Sequence, residues 1–253
     1  DTFPASWPIS VHTETRSSEF AHPAGADFTA TQWNRGGMET LTEAEVRAAG
    51  LDEWRQLWNL LCTRYRTSDF ATGLALLDRI GLAAEAANHH PDVALGYGHL
   101  DIRLVSHDAG GITQRDIDLA RVISGLAAET GVTADVASLS YVEAGLDAPD
   151  SDRVRPFWAA LLGSSDTGDE VHDPDGQLPS VWFQKPAAPT PAGELEQRWH
   201  FDVWVPHDQA EARIAAAVAA GGTVVDESEA PSFWVLADAD GNRSCICTAL
   251  ERA

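Results

Sequence analysis

A chain of 253 residues with 44% hydrophobic and 22% charged residues and nine Trp is long enough for one large domain or two ordinary ones, and it can bury a core, which excludes a disordered chain. Its 39 Asp plus Glu against 17 Lys plus Arg give a formal net charge of -22, a field that repels nucleic-acid phosphates and anionic membranes. The three cysteines, with Cys245 and Cys247 in a lone C-x-C, point to neither a disulfide framework nor a zinc site and fit a reducing cytoplasm, and no run approaches the ~20 apolar residues of a membrane span.

Residues 1–37 mix Pro, Ser, Thr, Gly and His without an apolar period, and Met38, the only methionine, follows "RGG". Met38 is read as the natural start and 1–37 as an extension dispensable for activity; an ordered arm over a neighbour is the alternative. In "TEAE", Thr42 and Glu45 occupy the N-cap and N3 positions of a capping box, and Gly50 suits the helix stop. Residues 54–66 read as strand material with a turn. Phe70, Leu74, Leu77 and Ala84 recur at helical spacing until Asn88, beyond which Pro91 prevents continuation. In residues 97–106, Leu100, Ile102 and Leu104 alternate with His99, Asp101 and Arg103, the pattern of a half-buried strand. Gly110 and Gly111 permit a tight turn, after which Thr113 with Asp116 can cap a helix carrying Ile117, Ala120, Ile123 and Ala127. This order predicts an α+β domain over 38–130, an antiparallel sheet with helices on one face.

Residues 131–138 read as a linker. From 139 to 253 the pattern repeats: "DPDG" at 173–176 and "DADG" at 238–241 each feed a final strand, and each is preceded by strand, helix and strands. Two βαβββ units follow from this, joined by "KPAAPTPAGE".

Three histidines fall at element ends: His89, His90 and His107. Imidazole both gives and accepts protons near neutrality, its unperturbed pKa being about 6.5. If the helix ending at Asn88 packs on the strand over 97–106, the "HHP" and "SHD" turns meet at one rim with Asp116 close by. That is an acid/base site without a nucleophile, P-loop or dinucleotide fingerprint. Taken singly, each histidine also suits a solvated loop and Asp116 a simple cap. Vicinal histidines lack the i, i+4 geometry of metal-binding pairs, so no metal is expected there.

The runs "LTEAEVRAAGLDEW", "RYRTSDFATGLALLDRIGLAAEAANHHPDV" and "GHLDIRLVSHDAGGITQRDIDLARVI" resemble the pterin-4a-carbinolamine dehydratase family over residues 39–130. The most specific elements are E-x-x-x-H-H-P, Glu85 to Pro91, and S-H-D-x-G-G-I-T-x-x-D, Ser106 to Asp116. The resemblance implies loss of water from a 4a-hydroxytetrahydropterin to give quinonoid dihydropterin, as in recycling of the tetrahydrobiopterin cofactor, with no metal or organic cofactor. It implies His89 and His107 as the acid/base pair and His90 as the residue that binds and orients the pterin. Glu85, Pro91, Ser106 and Asp108 would lie at the substrate. Asp116 would hold a histidine tautomer or only cap its helix. Relatives form dimers or tetramers, so a homo-oligomer is expected.

Residues 138–252 resemble a glyoxalase-like domain of the vicinal oxygen chelate superfamily through "DSDRVRPFWAALLG", "RWHFDVWV" and "DADGNRSCI". Laid on this chain, the superfamily's metal positions fall on Glu143, His200 and Cys245, with Gln184 a fourth. A thiolate beside hard oxygen ligands is a poor set for such an ion, so the expectation is a metal-free module that is structural or binds an unidentified small ligand. His200 then reads as a buried, hydrogen-bonded strand residue. Phe157, Trp158, Trp182, Trp199, Trp204 and Trp234 either line an aromatic pocket or build the core. The alternative function is a metal-dependent glyoxalase-like enzyme, or a small-molecule binder carrying a degenerate dehydratase domain.

Overall fold

The computed structural model describes residues 39–174, 176–185 and 197–252; the extension 1–37, Met38 and most of the Pro-rich joint lie outside these residues. Helix α1 (Glu43–Ala48) starts at the expected capping box: the Thr42 hydroxyl accepts the Glu45 N–H at 3.3 Å, and the Glu45 carboxylate accepts the Thr42 N–H at 2.8 Å. Strands β1 (Arg55–Leu57) and β2 (Leu60–Arg66) form a hairpin across Trp58 and Asn59, with Trp58 in the left-handed region at φ 52°. Helix α2 (Phe70–Ala87) leads to β3 (Asp92–Leu95) and β4 (His99–Leu104), and α3 (Gln114–Thr130) closes the unit.

These strands pair antiparallel in the order β1-β2-β4-β3. Strand alternation decides what each face does. Leu61, Tyr65, Leu100, Ile102 and Leu104 share a buried cluster with Leu76, Ile80, Ile117, Ala120 and Ile123 of the two long helices. Each such aliphatic contributes roughly 1.5–3 kcal/mol by leaving water. The opposite face carries Cys62, Arg64 and Arg66 against Arg103, Asp101 and His99.

The buried side of α2 matches the expected one in part: Ala84 is buried and Leu77 packs against the core. Gly73, Leu76, Ile80, Ala83 and Ala84 face inward, whereas Phe70 and Leu74 are 48% and 52% exposed. Apolar residues occur nearly all round this helix, so spacing alone does not select a face. Close approach does: a Cβ on Gly73 would lie 2.5 Å from the Leu95 side chain, so the glycine is where helix and strand meet.

The expected linker is partly sheet, since β5 (Thr133–Ala134) pairs with β2 and a 3-10 turn follows at Val136–Ser138. The second unit runs β6 (Tyr141–Asp147), α4 (Ser151–Leu162), β7 (Ser165–Asp166), β8 (Glu170–His172) and β9 (Val181–Gln184). It then repeats as β10 (Trp199–Trp204), α5 (Ala210–Ala219), β11 (Thr223–Asp226), β12 (Phe233–Ala237) and β13 (Arg243–Cys247). One eight-stranded sheet results, ordered β11-β12-β13-β10-β6-β9-β8-β7. In each half the first strand runs parallel to the last, β6 with β9 and β10 with β13, and the halves join through antiparallel β6 and β10. This is the paired βαβββ architecture. The D-x-D-G turns are built by their first aspartates: Asp238 accepts the N–H groups of Asp240 and Asn242, and Asp173 those of Gln177 and Leu178.

Helices α4 and α5 cover one side of this sheet, packing on Ala144, Leu146, Val171 and Val181 in one half and on Val203, Leu236 and Ile246 in the other. The register places Tyr141, Glu143, Gly145, His200, Asp202, Trp204, Cys245 and Cys247 on the other side. There the β1–β2 hairpin meets it, with Leu57, Trp58, Leu60 and Cys62 in one apolar cluster with Tyr141, Trp204, Phe233, Cys245 and Cys247. No described helix is long and apolar enough to cross a membrane.

Candidate active site

The first histidine turn is fixed by how α2 stops. Asn88 adopts the left-handed conformation, φ 48° and ψ 42°, while its N–H bonds the Glu85 carbonyl and the His89 N–H bonds the Ala84 carbonyl at 3.1 Å. This is a Schellman stop with asparagine in the usual place of glycine. It turns the chain so that His89 becomes buried, 8% exposed, while His90 faces solvent with Nε2 at 3.1 Å from the Glu85 carboxylate.

The second turn follows β4. Ser106 and Gly111 form an isolated bridge, and the Ser106 carbonyl accepts N–H groups from Ala109 and Gly110, whose φ of +70° suits glycine. His107 and Asp108 stand exposed on this turn. The Asp108 carboxylate pairs with Arg115 at 2.5 Å, and that guanidinium holds the Asp108 carboxyl below its ordinary value. Arg115 was not among the sequence-derived site residues; its place in the first turn of α3 gave no distinguishing signal.

Asp116 joins the two turns. Fully buried, it sets Oδ1 at 2.7 Å from Nε2 of His89, while Oδ2 accepts the Ser106 hydroxyl at 2.8 Å and the Thr113 N–H at 2.7 Å. Ser106 and Thr113 bond each other at 2.8 Å, so the network is closed. Burial pushes the Asp116 carboxyl up, but bonds from His89, the Thr113 backbone and Ser106 outweigh it and hold the carboxyl below its ordinary value. An ionised carboxylate only accepts, so Nε2 of His89 carries the hydrogen toward Asp116. Ser106, expected at the substrate edge, spends its hydroxyl inside this network at 1% exposure. Pro91 is half-buried and Glu85 exposed.

On the second unit, Glu143 is buried and its Oε2 accepts the indole N–H of Trp204 at 2.8 Å. Burial pushes its carboxyl up to about 7, against the Trp204 bond and with the negative charges of Glu170 and Asp202. His200 stands edge-on to Trp182 at 5.2 Å and 3.9 Å from the Asp202 carboxylate. Trp158 of α4 and Trp234 of β12 pack against the two helix-side clusters, and Phe157 is exposed. Among the described residues no group of three His, Cys, Asp or Glu side chains is placed to hold a metal ion.

A buried carboxylate thus ties the turn that carries His89 and His90 to the turn that carries His107, on a helix-covered antiparallel sheet. Residues 39–126 match the family described as pterin 4 alpha carbinolamine dehydratase, and residues 143–247 match the glyoxalase-like domain. A protein from Thermosynechococcus vestitus named "Putative pterin-4-alpha-carbinolamine dehydratase" is 42% identical over 91 residues, spanning 35% of this chain and 96% of that protein. A protein of the same name from Nocardia farcinica is 37% identical over 91 residues, again 35% and 96%. The chain belongs to the pterin carbinolamine dehydratase family through its N-terminal unit and carries a glyoxalase-like domain after it. A solved structure, a transcriptional coactivator/pterin dehydratase from Brucella melitensis, is 30% identical, covering 35% of this chain and 99% of that chain with a TM-score of 0.34.

Proposed function

We propose that the N-terminal unit dehydrates a 4a-hydroxytetrahydropterin to the quinonoid dihydropterin, with histidines as acid and base. The observation that carries this reading is the Asp116 carboxylate, which bonds His89 from one turn and Ser106, the neighbour of His107, from the other. Breaking the C4a–O bond requires a proton for the departing hydroxide, and the N5 hydrogen must go to a base. His89, held by Asp116 through Nε2, takes the N5 proton at Nδ1 as the general base. His107, on the exposed turn, protonates the leaving oxygen, which departs as water. His90, positioned by Glu85, orients the pterin beside Pro91 and Asp108, and Ser106 positions Asp116. No cofactor is needed because the pterin itself supplies the electrons that expel the hydroxide.

The exposed Phe70 and Leu74 on α2 support self-association, which sedimentation would measure. The decisive assay presents purified protein with a synthetic 4a-carbinolamine and compares the rate with spontaneous dehydration. His89→Ala and His107→Ala should each slow turnover ~10²–10⁴-fold, the usual contribution of a general acid or base, without loss of fold. Turnover near that of the unsubstituted protein in both variants would sink the assignment.

A further inference from the structure

The glyoxalase-like resemblance implies a metal ion on the helix-free side of the eight-stranded sheet, and the residues there do not fit one. Glu143 is already engaged by the Trp204 indole at 2.8 Å. The Gln184 amide donates to Asp147 at 2.7 Å on an exposed strand end. His200 lies so close over Gly145 that a Cβ there would come within 2.5 Å of Nε2. Cys245, register partner of Asp202, offers a soft thiol that packs against the apolar cluster with Cys247. A hard divalent ion needs convergent oxygen and imidazole donors, and these four positions supply none of that convergence.

What covers part of this side is the other half of the chain. Cys62 projects from the face of its own sheet opposite α2 and α3, yet it is only 4% exposed. Leu57, on the same face, is 1% exposed. Their cover comes from the segment after β5 and from the second sheet: Leu139, Tyr141, Trp204, Phe233, Cys245 and Cys247. Trp58 stacks parallel to Tyr141, with ring centroids 6.0 Å apart. At the rim Arg55 holds Asp208 through Nε and Nη2, and Arg252 lies over Trp204 at 4.1 Å. An apolar centre with an ion pair at its margin is the anatomy of a specific interface.

We infer that the glyoxalase-like domain is a metal-free clamp, in which the sheet face its fold otherwise offers to an ion seats the β1–β2 hairpin of the dehydratase unit. The Trp204–Glu143 bond occupies the would-be centre, and the hairpin closes the end where Cys245 and Cys247 lie. All three cysteines of the chain fall in this seam, so their thiols report on it directly. The inference stands apart from the dehydration reading and is tested without it.

The experiment uses the full chain. Manganese(II) titrated in and followed by electron paramagnetic resonance should remain free, and a charged aromatic disulfide should label Cys62 and Cys247 only as fast as the chain opens. Leu60→Asp, which sets a charge in the seam, should raise the labelling of both thiols roughly tenfold, as loss of about 1.4 kcal/mol of closure does. If that variant does not fold, Phe233→Ala, which loosens the seam from the other side, is read by the same labelling. Stoichiometric manganese that disappears in His200→Ala overturns the inference, as does native-state labelling of Cys62 and Cys247 at the unfolded chain's rate.

Discussion

Asp116 holds His89 and caps its own helix with one carboxylate: Oδ1 meets Nε2 of His89 at 2.7 Å, while Oδ2 accepts the N–H of the N-cap residue Thr113, also at 2.7 Å. Cap and histidine support are therefore a single device, and damage to one reaches the other.

Asp116→Asn separates these roles. The amide keeps the size of the carboxylate, but its NH₂ must face either the His89 N–H or the Thr113 N–H. Each unsatisfied buried donor costs about 1–3 kcal/mol. Turnover should fall ~10²-fold or more as the His89 tautomer is lost, and the denaturation midpoint should drop. Asp116→Ala should cost more stability, because it strands the His89 and Thr113 N–H groups together, each at about 1–3 kcal/mol. Steady-state kinetics beside a urea titration measures both. A large fall in stability with unchanged turnover would make Asp116 a cap alone.

The same carboxyl predicts an acid limit. Its folded value lies below the ordinary 3.8, so its stabilising contribution is complete above that value and is lost as pH falls through the depressed one. Denaturation followed from pH 6 downward should show a stability loss that Asp116→Asn lacks. Identical acid profiles for the two proteins would contradict the network.

Asn88 supplies a test of geometry distinct from chemistry. At φ 48° a glycine replaces it without strain, whereas a β-branched residue costs about 1–2 kcal/mol. Asn88→Gly should keep turnover, and Asn88→Val should lower both stability and turnover by shifting His89. Thermal melts with parallel kinetics decide. Full activity in Asn88→Val would show that the helix stop does not position the histidine.

Glu143 carries the opposite sign. Its folded value of about 7 lies above the ordinary 4.5, so the fold favours the neutral acid and loses stability as pH rises between those values. Glu143→Gln keeps an acceptor for the Trp204 indole and removes the charge. It should stabilise the chain at pH 8 by roughly 1–3 kcal/mol and change little at pH 4. A variant less stable at both values would show that the carboxylate form is needed.

The sequence made some of this legible and not the rest, for physical reasons. Local chemistry was readable: Thr42 with Glu45, Thr113 with Asp116 and the D-x-D-G turns each rely on side chains a few residues apart. The alternation of residues 100–104 named its buried face correctly, because a period of two leaves two choices and the charges mark one. Helix α2 yielded to spacing only in part: Leu77 and Ala84 face the core as read, but Phe70 and Leu74 do not, and the close approach of Gly73 to Leu95 lies beyond the helix itself. At the site, the histidines and Asp116 were visible as residue types at element ends. That Ser106 turns inward to Asp116 was not, because it depends on the turn from Ser106 to Gly111 closing. The seam was the least legible feature, as Cys62, Tyr141 and Cys247 approach only once both sheets exist.

The shortness of the joint between the sheets has an energetic consequence. With β5 ending at Ala134 and β6 beginning at Tyr141, only residues 135–140 separate them. A tether of that length holds the hairpin and its seat at an effective concentration of about millimolar. The contact therefore needs little intrinsic affinity to remain closed, and a modest patch with one ion pair suffices. Cut at that joint, the two halves would face each other as dilute strangers, and a contact adequate within one molecule would fail between two.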